Sequence, residues 1–306
     1  MNYNLEQEEP LRLASEDEVN QLISIYERHL PSAVQFVLLL ENIKRMQATL
    51  RENELENASH RFRKSVYVLK DRDIEQHATF VAIGLDKDIF IIPHTLQNPP
   101  IELTEAIRDT KYIKWELHPV FVIERNNEIQ ENLSQVAEAR NIKLHILSDC
   151  LNYWVPQQKA SKITYTVPQD VTLRPLQEEH AQFLNDTWPY RYEQSKWYIE
   201  TAIRVNSGFG LFDIKDGSLL ACVFKNDHDS VGHLYTLPNK TNRGYGSTLA
   251  KAMTRKIAFQ DNQHALAFIS PSNEQSIRIF TKIGYVPVSR TIWLSSSVES
   301  KPTHRA

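Results

Sequence analysis

The sequence predicts a mixed α/β protein made of two halves. Three observations predict it. Strand-like and helix-like segments alternate along the chain. A polar stretch from Pro156 to Pro168, carrying Lys159, Ser161 and Lys162, interrupts them near the middle. Beyond it the pattern starts afresh: Leu11-Arg12, then Glu16, Asp17 and Leu22, is echoed by Leu173-Arg174, then Glu178, Glu179 and Leu184. The expected division is an α/β domain over 1–160, a second domain over 161–294 and a polar tail over 295–306, which 306 residues accommodate.

In the first half, Glu16 to Leu30 reads as a helix, with Ser15 and Glu18 at capping-box spacing and Val19, Leu22, Ile23 and Tyr26 as its apolar stripe. Pro31 ends it. Strands follow at Ser65–Leu69, Thr79–Gly84 and Ile89–Ile92, the last two joined by the turn Asp86-Lys87-Asp88. A proline-rich loop leads to a helix near Leu103–Asp109. A strand at Val120–Ile123, a helix at Ile129–Arg140 and a strand at Lys143–Leu147 complete the half.

In the second half, Leu173-Arg174-Pro175-Leu176 enters a helix over Glu178–Thr187. Strands at Gly210–Ile214, Leu219–Phe224 and Val231–Leu237 form an antiparallel meander, turned by Lys215-Asp216-Gly217 and by Asn226–Asp229. A helix over Ser247–Phe259 follows, then a strand at Ala265–Ile269, a helix at Asn273–Lys282 and a strand at Tyr285–Trp293.

Composition narrows the function. Hydrophobic residues at 41% and charged residues at 24% are the proportions of an ordinary globular protein. A formal net charge of −3 supplies no basic surplus, so nucleic acid is not an expected partner. Arg61, Arg63 and Lys64 read as a solvated strand face. Cys150 and Cys222 sit among apolar neighbours with no metal-ligand spacing, so no metal site or disulfide framework is expected. The acidic start of the chain, with Glu6, Glu8 and Glu9, is not a targeting signal, and the run Ala33–Leu40, broken by Gln35, is too short for a bilayer. No membrane partner is expected, and the default address is the cytoplasm.

The chemistry concentrates in the segment Leu237-Pro238-Asn239-Lys240-Thr241-Asn242-Arg243-Gly244-Tyr245-Gly246-Ser247, between a strand and a helix. Gly244 and Gly246 let the backbone bend and a ligand approach its N–H groups. The first N–H groups of the following helix have no partner inside it and lie at its positive end. Together they suit a pyrophosphate, with the Arg243 charge at the rim. A lone G-x-G is more often a plain tight turn; the meander before it and the strand–helix–strand after it raise its weight.

The later segment from Ser270 to Tyr285 contains Asn273, Ser276, Lys282 and Gly284 in the pattern N-x-x-S…K-x-G-[FY]. With the L-P–loop–G-x-G turn before it, the stretch Val171–Leu294 resembles the GNAT acyltransferase superfamily. The whole chain resembles most its glycine N-acyltransferase-like branch, with the N-terminal half a degenerate copy of the same fold. The resemblance implies coenzyme A, as an acyl-coenzyme A co-substrate, and a small-molecule amine as acceptor. It implies that N–H groups from Arg243 through Gly244, Tyr245, Gly246 and Ser247 to Thr248 hold the pyrophosphate. Tyr235, Thr236 and Leu237 would pair through their backbone with the pantetheine arm, and a backbone N–H there would stabilise the oxyanion. Asn273 would hydrogen-bond the same arm, and Phe280 would lie beside it.

Two positions depart from the family pattern. Thr241 stands where Gln or Arg is usual. Phe280 stands where many members have a tyrosine that protonates the departing thiolate, and phenylalanine has no proton to give.

Each candidate also has a plain structural reading. Asn273 either touches ligand or caps its helix, where Ser272 and Gln275 have capping-box spacing; Gly284 is simplest as a C-cap. His233 and Tyr235 share one strand face and are the candidates for catalysis, yet a strand histidine is more often packed than a base. Asp227, His228 and Asp229 read as a solvated turn. The aromatics Trp188, Tyr190, Tyr192, Trp197 and Tyr198 either line a pocket or pack. The expectation is an N-acyltransferase working by direct transfer; the alternative is an acyl-coenzyme A-binding protein whose catalysis is weak or lost. Acyl group, acceptor and oligomeric state are left open.

Overall fold

Ser15 opens the first helix as its spacing predicts. Its hydroxyl accepts from Glu18 N–H at 3.3 Å, and the Glu18 carboxylate accepts from Ser15 N–H at 2.8 Å. The computed structural model describes residues 8–51, 62–84 and 89–298. Glu6, Arg61, the turn Asp86-Lys87-Asp88 and the last eight residues of the expected tail lie outside the described residues.

The first half runs β1 (Leu11–Leu13), α1 (Glu16–Glu27), α2 (Val34–Arg51), β2 (Lys64–Leu69), β3 (Phe80–Gly84), β4 (Phe90–His94), α3 (Ile101–Asp109), β5 (Val120–Glu124), α4 (Asn127–Glu138) and β6 (Ile142–Val155). The second runs β7 (Val171–Pro175), α5 (Ala181–Thr187), α6 (Ser195–Asn206), β8 (Gly208–Asp213), β9 (Leu219–Lys225), β10 (Val231–Thr236), α7 (Tyr245–Phe259), β11 (Ala265–Ile269), α8 (Glu274–Ile283) and β12 (Val286–Val298). Single-turn helices aside, the succession strand, two helices, three strands, helix, strand, helix, strand occurs twice. The echo of Leu11-Arg12 in Leu173-Arg174 falls on the matching strands β1 and β7.

The halves are interleaved. One sheet has the order β1-β2-β3-β4-β5-β12-β6-β11, the other β10-β9-β8-β7. Had each half closed on itself, β6 would lie beside β5 and β12 beside β11. Instead β12 pairs with β5, β6 pairs with β11, and the two exchanged strands pair with each other across the middle. The last strand of each half therefore completes the sheet of the other. Ser295 to Val298, expected in the tail, belong to this ladder, opposite His145 to Ile142. The reason is long-range: a serine-rich end has little strand propensity alone but gains a full set of backbone partners from β6.

Packing follows the two faces. On one face of the second half, α7 lays the expected stripe Leu249, Met253 and Ile257, all buried, against the strands. On the other face, α5 and α6 cover Phe212, Cys222 and Phe224. There α2 of the first half buries Val34 and Leu38 against Leu266 of β11.

Two helices were not legible as such. In α2 the residues Phe36 to Leu40 are all buried, so no polar face marks a helical period. Gln35 is buried too and binds Thr291 and, at 3.1 Å, Asn152. In α6, Tyr198, Ile199, Ala202 and Ile203 do fall at helical spacing, a signal obscured by the aromatic run before it. Cys150 and Cys222 are buried and free, as expected. No described helix is long and apolar enough to cross a membrane.

Candidate functional site

The second half parts where the first half is joined. In the first, β4 and β5 form a parallel ladder through Phe90–Val120 and Ile91–Phe121. In the second, the corresponding strands β10 and β11 lie in different sheets. The gap between them opens toward the glycine turn. Leu237 N–H donates to Leu220 O at 2.9 Å, on the β9 side. Antiparallel alternation then turns the N–H and C=O of Thr236 the other way, into the gap.

A bulge sits at mid-strand. The β10–β9 register shifts between Gly232 and Tyr235, and His233 has a φ of 46°, an uncommon conformation for a residue with a β-carbon. A bulge leaves residues out of the ladder and re-aims their backbone groups. Apart from Gly232, nothing in the sequence announces it.

At the end of β10 the chain passes a single 3₁₀ turn, Pro238–Lys240, and reaches Gly244, whose φ of 81° suits glycine. A β-carbon at Gly244 would meet nothing within 4 Å, so the requirement there is conformational and not steric. Gly244 is itself the N-cap of α7, which explains why the helix starts at Tyr245 and not at Ser247. No side chain caps it, and its first main-chain bond runs from Thr248 N–H to Gly244 O at 2.9 Å. The N–H groups of Tyr245, Gly246 and Ser247 thus stand ahead of the helical bonding. Thr248, expected in the cradle, is buried and has its N–H engaged.

Arg243 is exposed at the rim, 3.5 Å from the Asp170 carboxylate. The same carboxylate accepts from the Tyr245 hydroxyl, which draws its pKa below the ordinary range. Asp170 thereby ties the turn to the start of β7. At Gly246 an added β-carbon would come 3.5 Å from Ile279 and 3.8 Å from the Thr236 hydroxyl, so these flank the turn.

His233 and Tyr235 do share one face. Their rings are parallel with centroids 6.0 Å apart. His233 Nε2 lies 3.1 Å from the Thr187 hydroxyl of α5. Burial pulls its pKa down to about 4, so the ring is neutral at pH 7 and a weak base.

On the far side of the gap, Asn273 caps α8, its side-chain oxygen accepting from Ser276 N–H at 3.1 Å. The cap is Asn273 itself and not Ser272, whose hydroxyl lies 2.9 Å from that of Ser270. Gly284 ends the helix with a φ of 106°. Phe280 is buried at 3% exposure and meets Tyr285 edge-on at 5.0 Å, as part of the core under α7. The Tyr285 hydroxyl is buried too, 2.8 Å from Thr254, and burial raises its pKa.

The turn before β10 is the largest correction. Asp227, His228 and Asp229 are buried, not solvated. Lys64, expected on a solvated face, is buried against Asp227 at 2.8 Å. Asp229 accepts from Asn42 at 2.7 Å, from Arg45 at 2.6 and 2.8 Å and from Gln263 at 3.0 Å, with Lys225 at 3.4 Å. The turn chemistry itself is as expected, since Asn226 Oδ1 accepts from His228 and Ser230 N–H. Its partners Asn42, Arg45 and Lys64, however, come from α2 and β2, far away in sequence.

Comparison with known proteins bears on both halves. Residues 10–136 match a family model described as a domain of unknown function (DUF5645). Residues 208–294 match one described as FR47-like protein. The mycothiol acetyltransferase of Acidimicrobium ferrooxidans is 26% identical over 132 residues, 38% of this chain and 42% of that protein. The chain thus matches under half the length of this curated relative. Among solved structures, a Drosophila protein is 25% identical with a TM-score of 0.86, over 96% of this chain and 100% of that one. A tandem GNAT protein from the clavulanic acid biosynthesis pathway is 10% identical with a TM-score of 0.53, over 95% and 98% of the two chains. A GCN5-related N-acetyltransferase from Kribbella flavida is 15% identical with a TM-score of 0.51, over 72% and 86%. The chain has two GNAT-like halves.

Proposed function

We propose that this GNAT-type protein binds acyl-coenzyme A in its C-terminal half and passes the acyl group directly to an amine of a small molecule. A GNAT-type acetyltransferase activity in general has the support of the FR47-like match over 208–294 and of the mycothiol acetyltransferase relative. The observation that carries the finer reading is the gap between β10 and β11, with a bulge on one side and the Gly244 turn at its end.

The N–H groups of Tyr245, Gly246 and Ser247 receive the pyrophosphate, where the helix dipole favours negative charge. The backbone of Thr236 pairs with the pantetheine arm as a missing strand would, and the Asn273 amide reaches it from the other side. The thioester then lies at the bulge, where a freed N–H meets the developing oxyanion. The amine nitrogen attacks the thioester carbon and a C–N bond forms. Collapse of the tetrahedral intermediate breaks the C–S bond, and coenzyme A leaves with the proton the amine gives up. His233 and Tyr235 border the reacting amine. Neutral His233 accepts a hydrogen bond but takes a proton weakly, and Phe280 offers none, so proton transfer falls to water. Positioning and oxyanion stabilisation supply most of the acceleration. The assignments to the glycine N-acyltransferase-like branch and to the cytoplasm rest on layout and composition.

Calorimetry with coenzyme A and acetyl-coenzyme A tests the reading, with thiol release over an amine panel as the second readout. Saturable binding with thiol release is expected; no binding of either coenzyme would end it. Binding without release would favour the alternative of a coenzyme-binding protein with weak or lost catalysis, the reading to which Phe280 and His233 lean.

A further inference from the structure

In the first half, α1 and α2 share one core through Val19, Leu22 and Tyr26 of the one and Phe36, Val37 and Leu40 of the other. Between the same helices runs a groove of about 420 Å³, within the roughly 300–1,000 Å³ of small-ligand sites. Four charged side chains line it: Glu16 of α1, and Glu41, Lys44 and Arg45 of α2. The acyl-transfer reading uses none of them.

These charges do not cancel inside the groove. Arg45 is already engaged, its guanidinium donating to both Asp229 oxygens at 2.6 and 2.8 Å and to Asn206 at 2.9 Å. Glu41 has no cation of its own. Its Oε2 accepts from the Gln263 amide at 2.7 Å, and no other hydrogen bond or ion pair reaches it among the described residues. Burial raises its pKa; the Gln263 bond and Arg45 pull it down, Asp229 and Glu27 push it up, and the balance stays above the ordinary carboxylate value. An ammonium group beside it would favour the charged form. Lys44 donates to Asn20 Oδ1 at 2.7 Å and has no carboxylate partner among the described residues. The groove thus offers one carboxylate and one ammonium, each short of an opposite charge, one turn apart on one helix.

We propose that this groove is a binding site for a free aliphatic α-amino acid, its ammonium on Glu41 and its carboxylate on Lys44. An α-amino acid carries both charges on one carbon, so side chains one turn apart meet them together. A dicarboxylate would confront Glu16 and Glu41, and a diamine would confront Lys44; a zwitterion complements both. Ile23, half-buried, and Ala48, exposed, join the methylene stem of Lys44 as an apolar wall for the ligand's side chain. Glu41 also ties the groove to the second half, since the Gln263 amide that binds it donates to Asp229 at 3.0 Å. The site goes beyond the acyl-transfer reading and does not depend on it.

Calorimetric titration of L-leucine into the full-length protein is the test, with saturable binding at about 1 mM or tighter expected. Two analogues each lack one charge: 4-methylpentanoate has no ammonium and 3-methylbutylamine no carboxylate. Each should bind at least about ten-fold more weakly than leucine, the scale of leaving a charged group unpaired. Lys44→Gln, which keeps a donor for Asn20, should weaken leucine about ten-fold and leave the denaturant midpoint of the free protein unchanged. Glu41→Gln, which can still accept from Gln263, should weaken leucine to the same extent. The proposal is overturned by no saturation up to about 10 mM, by an analogue or glycine binding as tightly as leucine, or by unchanged leucine affinity in either variant.

Discussion

The two halves follow one succession of elements and differ at one corresponding place. In the first, β4 reaches α3 through Thr95-Leu96-Gln97-Asn98-Pro99-Pro100, and Pro99 and Pro100 have no N–H to offer an anion. The edge of β4 is also occupied, by β5. In the second, a turn with Gly244 in the left-handed region leads to N–H groups ahead of the helical bonding, and β10 has no ladder to β11. The same fold thus persists with the gap closed and with it open. In the acyl-transfer reading, ligand binding depends on one turn and one missing ladder. The closed half is not idle: it supplies β6 to the second half's sheet, α2 to its face and the counter-charges for its buried acids.

Cutting that last tie should have the largest effect. Asp229 is fully buried among Arg45, Asn42, Lys225 and Gln263. Asp229→Ala takes from part-buried Arg45 its two-pronged carboxylate partner and leaves buried Lys225 with Asp261 alone, and should cost about 3 kcal/mol in denaturant unfolding. A loss under about 1 kcal/mol would mean that charge pairing does not hold the halves together. Acid should act on the same contact. Burial alone would raise the Asp229 pKa, but Lys225 and Arg45 outweigh it and hold the carboxyl down to about 2. A carboxylate depressed in the folded state contributes stability above its ordinary value of 3.8, and that contribution is lost as pH falls toward 2. The variant should lack this part of the acid response.

What was legible in the sequence divides along the same line. Gly244 could be read because a positive φ demands glycine and because helix-start chemistry is local. The capping box at Ser15 and the C-cap at Gly284 were legible for the same reason. The burial of Asp229 was not, since its turn is polar by every local rule and its partners Asn42 and Arg45 lie more than 180 residues away. The strand exchange was equally hidden: β6 and β12 read as strands, but nothing in either names its neighbour. The bulge at His233 shows only in how β10 pairs with β9, which the residues of β10 do not announce. Local signals located the glycine turn, while the partners of the buried Asp227–Asp229 turn came from contacts across the two halves.

A smaller effect is expected from exchanging the features that separate the halves. Gly244→Ala meets no steric obstacle, so its cost is that of a left-handed alanine, about 1–2 kcal/mol. If the turn relaxes to avoid it, coenzyme affinity should fall roughly ten-fold by calorimetry. The mirror change, Pro100→Gly, should give the first half no coenzyme site, because the β4–β5 ladder still fills the gap. A second binding event in that variant would show that the proline alone closes the first half.

The smallest effect asks whether the second half has begun to close as the first did. Phe280→Tyr places a hydroxyl where many members of the family the sequence resembles have one, so on the acyl-transfer reading a site able to use it should respond with faster thiol release. The side chain, however, is 3% exposed and set edge-on to Tyr285, under α7. A hydroxyl added there would be desolvated, with a stability cost of about 1 kcal/mol or more if it finds no partner. The expected change in thiol-release rate is therefore less than about two-fold, against the 100-fold or more that a positioned acid contributes. A rise of ten-fold or more would mean that the ring turns into the gap when coenzyme binds. The loss of acid catalysis would then lie in a single atom, and the second half would be open in full.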